Sequence, residues 1–279
     1  MQEFESNTLA DQLFPSVIAA GACIMRHFNN GTEASTKADG SPVTAADCEA
    51  EEIIVAALAK IAPRVPVIAE EAASRGQALE QGEMFFLVDP LDGTREFAAR
   101  RPEFTVNIAL VRNRVPVFGV IYAPAMSQLY WTVGSDEAFK ATVSCEAAPA
   151  VLTDVRGESL TTRPVHSGAQ TIVASRSHGS QELEDWLRNV EVKERVNIGS
   201  SLKFCLVAEG KADLYPRFGP TKEWDTAAGH AIVLAAGGSV TRTDGAPFLY
   251  AKRDADYLNP GFIVWSGAPN AATLAGATG

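Results

Sequence analysis

Clustered cysteines, an excess of basic residues and long unbroken apolar runs are all missing from this chain. The four cysteines, at 23, 48, 145 and 205, form neither a CxxC metal pattern nor a dense disulfide framework. Reduced, mostly buried thiols are expected. Lys and Arg number 24 against 34 Asp and Glu, a formal charge of −10. That balance excludes a nucleic-acid coat or an anionic membrane surface as partner, because both require basic patches. A small anionic substrate is still compatible, provided that cations shield it locally. No stretch approaches the ~18 uninterrupted apolar residues of a membrane span. The opening MQEFESNTLADQLF carries acids where a signal peptide carries base. No integral membrane segment is expected, and a cytoplasmic address, with peripheral inner-membrane association left open.

What is present is a globular composition, 46% hydrophobic and 21% charged over 279 residues, near the size at which single cores split. The pattern dissolves into turn-rich sequence over 145–168, CEAAPAVLTDVRGESLTTRPVHSG. The expected division is therefore an N-terminal α/β subdomain, 1–150, and a C-terminal α/β subdomain, 151–279. Apolar residues at three-to-four spacing predict a helix over 7–28. A second helix follows Thr44 as N-cap and ends before Pro63. VPVIA and FFLV read as buried strands, FTVNIALVRNRVPVFGVIYAP as a hairpin turning at 112–114, and QLYWTVG as a further strand. In the second half, TIVASRS, ADLYPR and GFIVWSG predict strands. SLKFCLVAEG and 181–190 predict helices, and DTAAGHAIVLAAGG predicts a small-residue helix from an Asp225 cap to a Gly237 stop.

Several acids stand at the ends of these elements: Asp47, Glu70, Glu71, Asp89, Asp92 and Asp225. Each has a purely structural reading. Asp47 completes a capping box with Thr44, Glu70 and Glu71 suit a first helical turn, and Asp225 suits an N-cap. Their shared position favours a site, since Glu70 directly follows VPVIA and Asp89 directly follows FFLV, and ligands collect at the carboxyl ends of strands in layered α/β folds. Converging carboxylates repel unless they are protonated or hold cations. An oxygen-only donor set suits Mg²⁺ or Mn²⁺ far better than zinc. Pro90 fixes a turn that lets Asp89, Asp92 and the Leu91 carbonyl face one cavity. Gly93 permits close backbone approach, and amides near Gly93 and Thr94 can meet a phosphate. Cations beside an anion-binding turn make a phosphoryl-transfer site. The D-x-D-G-T signature of haloacid-dehalogenase phosphatases is excluded by spacing, because DPLDGT has one residue too many.

In order and separation, VTAAD, AEE, DPLDGT and EWDTAAGHAIVLAAGG resemble the four signatures of the lithium-sensitive, metal-dependent phosphatases that include inositol monophosphatases and fructose bisphosphatases. The likeness spans 19–262. KADGSPVTAAD, DPLDGTREF, SSLKFCLVAEGKADLYPRFGPTKEWDTAAGHA and LNPGF resemble more narrowly the bacterial 3'(2'),5'-bisphosphate nucleotidases of the CysQ type. The resemblance implies an α/β fold layered αβαβα, and two or three Mg²⁺ per site, with Mn²⁺ able to substitute. It implies Glu70, Asp89 and the Leu91 carbonyl on the first metal, and Asp89, Asp92 and Asp225 on the second. It further implies phosphate contacts from 91–94 (Leu91, Asp92, Gly93, Thr94), and Asp47 with Thr94 as the proton-accepting pair, helped by Glu70. Inhibition by lithium is implied as well.

For the substrate, the resemblance implies adenosine 3',5'-bisphosphate, losing its 3'-phosphate, with the 5'-phosphosulfate as a second candidate, in the clearing of a by-product of sulfate assimilation. Candidate contacts are His178, Ser200, Lys203 and Arg217, of which the last two suit a second phosphate. Lys203 has an alternative reading as a solvated helix residue. Arg95 stands where the nucleotidases usually have Lys, which leaves its role open. His230 lies about 140° round its helix from Asp225 and receives no catalytic role. A sugar or inositol phosphatase of the same superfamily is the alternative, followed by a non-catalytic nucleotide or metal binder. A monomer or homodimer is expected.

Overall fold

The computed structural model describes residues 6–31, 35–36, 42–76, 82–164, 168–176 and 179–270. Two sheets and three helical layers alternate. The first sheet has seven strands in the order β3-β4-β5-β6-β7-β8-β9: β3 Val67–Ala69, β4 Met84–Asp92, β5 Thr105–Arg112, β6 Val115–Ala123, β7 Gln128–Val133, β8 Glu137–Thr142 and β9 Glu158–Ser159. Only the β3–β4 pair is parallel; the remaining neighbours are antiparallel. Short strands β1 Ser35–Thr36 and β2 Pro42–Val43 pair separately, as do β13 Thr221–Lys222 and β15 Leu258–Asn259.

Strand β4 shows why its run is apolar throughout. Phe86 and Val88 enter one core and Phe85 and Leu87 the other, as a period of two requires when both faces are covered. One cover is the pair α1 Ser6–Asn30 and α2 Ala45–Ile61, whose Leu9, Leu13, Phe14, Val17, Ile54 and Leu58 are buried against the sheet. Helix α1 is long and apolar enough to cross a membrane over Thr8–Asn30, yet 56% of that window is buried. The apolar face is therefore accounted for by the core.

The second cover is α6 Leu202–Ala208 with α7 Glu223–Ala235. Small residues let them lie close. A Cβ on Gly119 of β6 would stand 2.4 Å from the carbonyl oxygen of Ala228 in α7. Beyond them is a five-stranded sheet in the order β11-β10-β12-β16-β14, formed by β10 Gln170–Ser175, β11 Val192–Ile198, β12 Leu214–Arg217, β14 Ser239–Arg242 and β16 Phe262–Trp265. Its outer face packs on α5 Gln181–Leu187 through Leu183 and Trp186. The layers thus run α1/α2, sheet, α6/α7, sheet, α5, which is the αβαβα order. The chain changes sheets between β9 and β10. Since β9 lies beyond residue 150, the proposed subdomain boundary falls inside the last strand connections of the first sheet.

Several expectations need correction. Asp225 is not the cap of α7: the helix begins at Glu223 with Lys222 as N-cap, and the Asp225 carboxylate, one turn in, accepts the Lys222 amide at 2.8 Å. The segment VKERVNI, to which the sequence reading assigned no element, forms edge strand β11. All four cysteines are free, but only Cys23 and Cys205 are buried, while Cys48 and Cys145 are half-buried. His230, given no catalytic role above, needs no such correction: it is a core residue, its Nδ1 3.2 Å from the Tyr250 hydroxyl, and burial pushes its pKa down to about 3.

Candidate active site

The site begins with a defect in β4. Asp89 pairs with Asn107 and Asp92 with Thr105, so three steps on β4 match two on β5. One residue is bulged, at Pro90, which has no amide to give the ladder. Positions 107 and 105 share a face, and the bulge therefore returns Asp89 and Asp92 to one side despite their spacing of three. Leu91 donates its N–H to Asp89 Oδ1 at 3.0 Å, closing the turn. Gly93 follows at φ 91, and a Cβ there would stand 3.0 Å from the Glu103 carbonyl oxygen, so glycine is required twice over. Helix α4, Thr94–Ala98, starts directly after it.

Two further elements point into the same cleft. Helix α3, Glu70–Ser74, starts where β3 ends, its Glu71 amide held at 2.7 Å by the Glu51 carboxylate from α2. Glu70 and Glu71 are thus first-turn acids, and Glu70 also lines the cleft. Asp225 arrives from the first turn of α7. A cavity of about 240 Å³ is lined by Glu70, Asp89, Leu91, Asp92, Gly93, Thr94, Arg95, Ser200, Lys203, Arg217 and Asp225, among others.

Asp47 sits at the edge of this group. It closes a capping box on α2, with Thr44 N–H at 2.8 Å and Thr44 Oγ1 at 2.7 Å donating to its Oδ2. Its other oxygen, Oδ1, is 3.5 Å from Thr94 Oγ1, which also lies 3.2 Å from the Leu91 carbonyl oxygen. The capping bonds and the approach to Thr94 thus use different oxygens of Asp47. Burial, opposed by the Thr44 bonds and aided by the charges of Glu71 and Glu70, pushes its pKa up to about 6.

Electrostatics favour a cation. Burial foremost, then the charges of Glu70, Asp92 and Asp225, holds the Asp89 carboxyl well above the usual carboxylate range. Asp225 is raised by burial and then by Asp92 and Glu70. A divalent ion would reverse both effects. The donor set is carboxylate and carbonyl oxygen, which fits a hard ion such as Mg²⁺ or Mn²⁺. Among the described residues no three cleft carboxylates bring ligand oxygens within 4.8 Å of one another, so three of them would have to draw together to hold one ion.

Sequence reasoning overlooked the scaffold behind Asp92. Ser200 and Ser201 each donate to Asp92 Oδ2 at 2.8 Å, and Ser201 Oγ is also 2.9 Å from the Asp225 carbonyl oxygen. Asn107 donates to Ser201 Oγ at 2.9 Å, and Thr105 bonds to Ser200. The residues opposite Asp89 and Asp92 in the ladder thus fix the serines that fix Asp92. Ser200 has φ 55, a strained state that clusters at functional sites.

Of the candidate nucleotide contacts, His178 lies outside the described residues. Lys203 is buried rather than solvated: its ammonium donates to the Ser200 carbonyl and lies 5.5 Å from the Tyr215 ring centre. Burial pushes its pKa down to about 8. Arg217 is buried at the cleft wall, donating to the carbonyls of Gly219 at 3.2 Å and Pro220 at 3.1 Å. Arg95 lines the cleft from α4.

Comparison with known proteins agrees with this architecture. The inositol monophosphatase family matches over residues 6–273. The 3'(2'),5'-bisphosphate nucleotidase CysQ of Shigella flexneri is 44% identical over 92% of this chain and 99% of its own. The protein of the same name from Escherichia coli (strain K12) is also 44% identical, with the same coverage. The crystal structure of CysQ from Bacteroides thetaiotaomicron, described as a bacterial member of the inositol monophosphatase family, superposes with a TM-score of 0.74 at 40% identity, covering 95% of this chain and 98% of that one. A match over residues 6–273, a span that includes both sheets and the cleft, makes this chain a member of the inositol monophosphatase family.

Proposed function

We propose that this protein is a divalent-metal-dependent phosphatase that removes the 3'-phosphate of adenosine 3',5'-bisphosphate, giving AMP and phosphate, and that acts in the same way on the 5'-phosphosulfate. The observation that carries the reading is the meeting of Asp47 and Thr94 with Glu70, Asp89, Asp92 and Asp225 around one cleft. The nucleotide substrate rests on similarity to proteins named as 3'(2'),5'-bisphosphate nucleotidases.

Glu70, Asp89 and the Leu91 carbonyl would hold one Mg²⁺, and Asp89, Asp92 and Asp225 another; Mn²⁺ would be accepted in place of either. Bound there, the ions supply Lewis acidity toward water and phosphoryl oxygens. The rest is done by the chain itself. Thr94 Oγ1 takes the proton of the attacking water as its own proton passes to Asp47 Oδ1. A base with a pKa near 6 is mostly ionised at neutral pH yet still basic enough to accept. Hydrogen bonds of this kind are long in ligand-free sites and tighten when substrate binds, which accommodates the 3.5 Å separation. Glu70 assists from the strand end. Backbone at 91–94, opened by Gly93, receives the phosphate. Ser200, Lys203 and Arg217 offer the remaining polar wall to the rest of the nucleotide, with His178 as a further candidate. No covalent intermediate on the protein is required.

We place the enzyme in the cytoplasm, as a monomer or homodimer. Purified protein given Mg²⁺ and either adenosine 3',5'-bisphosphate or inositol 1-phosphate tests the substrate. A clear preference for the inositol ester would transfer the assignment to an inositol or sugar phosphatase. Tight nucleotide binding with no phosphate release would make the protein a non-catalytic binder.

A further inference from the structure

On α2, Glu49 is two residues past Asp47, about 200° round the helix, and so faces away from the cleft toward α1. There it meets Cys23 and His27, which are four apart on one face of α1. Cys23 Sγ is 3.4 Å from Glu49 Oε2 and His27 Nε2 is 3.1 Å from Glu49 Oε1. One ligand atom from each of the three residues lies within 4.8 Å of the others, and this is the sole such trio among the described residues. Around a tetrahedral zinc ion, sulfur, nitrogen and oxygen ligands stand about 3.4–3.6 Å apart. Cys23 and His27 approach different oxygens of Glu49, so a small turn of that carboxylate, or ligation through both of its oxygens, would bring the three donors onto one ion.

We propose that Cys23, His27 and Glu49 form a second metal site, selective for zinc-class ions, that ties the end of α1 to the start of α2. Thiolate, imidazole and carboxylate are a borderline donor set that suits Zn²⁺ or Co²⁺ and disfavours Mg²⁺. The protein would therefore sort two kinds of ion into two places. Three protein ligands leave a fourth position for water. Cys23 is buried and protonated at neutral pH, since burial and then the Glu49 hydrogen bond push its pKa up to about 11. Binding thus breaks the S–H bond, forms the S–metal bond and releases the proton to solvent. Arg26 is the competitor: its guanidinium is 2.6 Å from Glu49 Oε2 and 3.4 Å from Cys23 Sγ. With 61% of its side chain exposed, it can turn outward and yield the site. Occupancy would brace the helix whose first turn carries Asp47.

The test uses Co²⁺ as an absorbing probe, added to the full chain in excess Mg²⁺ so that the cleft acids are already supplied. A sulfur-to-cobalt charge-transfer band should rise, saturate at one equivalent and disappear when Zn²⁺ is added. Cys23→Ser should lose the band, His27→Gln and Glu49→Gln should need more Co²⁺ for the same signal, and Arg26→Ala should need less. Cys48→Ser and Cys145→Ser should titrate as the parent does. Absence of the band in the folded parent, its survival in Cys23→Ser, or a His27→Gln titration that superimposes on the parent's would overturn the proposal. Because His27 and Glu49 are partly open to solvent, their variants keep the test valid even where Cys23→Ser does not fold.

Discussion

Replacing Asp47 with Asn should make the metal-free protein more stable while destroying its catalysis. The amide fits the space: its oxygen can keep the two Thr44 bonds at Oδ2, and its NH₂ replaces Oδ1 and can donate to Thr94 Oγ1. What changes is charge. The Asp47 carboxyl titrates near 6 when folded against 3.8 ordinarily, a rise worth about 3 kcal/mol at 1.36 kcal/mol per pH unit. For a raised carboxyl, the favourable protonated state is fully present below 3.8 and is lost as pH climbs through 6. The parent therefore carries the whole penalty at pH 8 and almost none at pH 4, and the variant carries it at neither. Urea denaturation in chelator should show Asp47→Asn ahead by up to about 3 kcal/mol at pH 8 and level with the parent at pH 4. Turnover in Mg²⁺ should fall about 10²–10⁴-fold, the usual worth of a general base. A variant that gains nothing between pH 4 and pH 8, or that turns over at the parental rate, would refute the reasoning.

Other expectations follow from the same geometry. Asp92→Asn removes an anionic ligand and little volume, so the fold should persist by circular dichroism while turnover drops by orders of magnitude; parental rates at limiting Mg²⁺ would contradict its role. Ser201→Ala removes a hydroxyl bonded to Asp92 and next to the Asp225 carbonyl, a charge-assisted bond worth about 1.5–3 kcal/mol. The Mg²⁺ concentration for half-maximal rate should therefore rise about tenfold to a hundredfold, with little change at saturating Mg²⁺. Gly119→Ala places a Cβ 2.4 Å from the Ala228 carbonyl oxygen and should cost about 1–3 kcal/mol, read as a lower melting midpoint; an unchanged midpoint would deny the close seat of α7 on the first sheet.

The fold was legible wherever a local rule decided it. Thr44 before an apolar-periodic run marked α2, and the run 104–124 marked the β5–β6 hairpin. FFLV marked a buried strand, because a strand covered on both faces is apolar at every position. The acids at strand ends were legible for the same reason. The remainder depends on partners that a sequence does not display. Pro90 signals a turn that lets Asp89 and Asp92 face one cavity, but that the turn is a bulge shows only in the ladder with β5. Strand β11 carries charge at Lys193, Glu194 and Arg195 because it is an edge, held through its backbone by β10. Lys203 on a short helix reads equally as a phosphate contact or as a solvated residue, and only the burial of α6 between two sheets removes the second reading. Ser201 carried no signal beyond standing next to Ser200, although it bonds Asp92 and sits against the backbone of Asp225. Asp225 reads as a cap because helix starts are the least determined part of a helix; at the third helical position its carboxylate still accepts the Lys222 amide.

Crystals of the protein soaked in Mn²⁺ and viewed by anomalous scattering would test the convergence of these acids most directly. Peaks are predicted in the cleft, one among Glu70, Asp89 and the Leu91 carbonyl, and one among Asp89, Asp92 and Asp225. A cleft without manganese density, with those carboxylates turned to separate surfaces, would contradict the account.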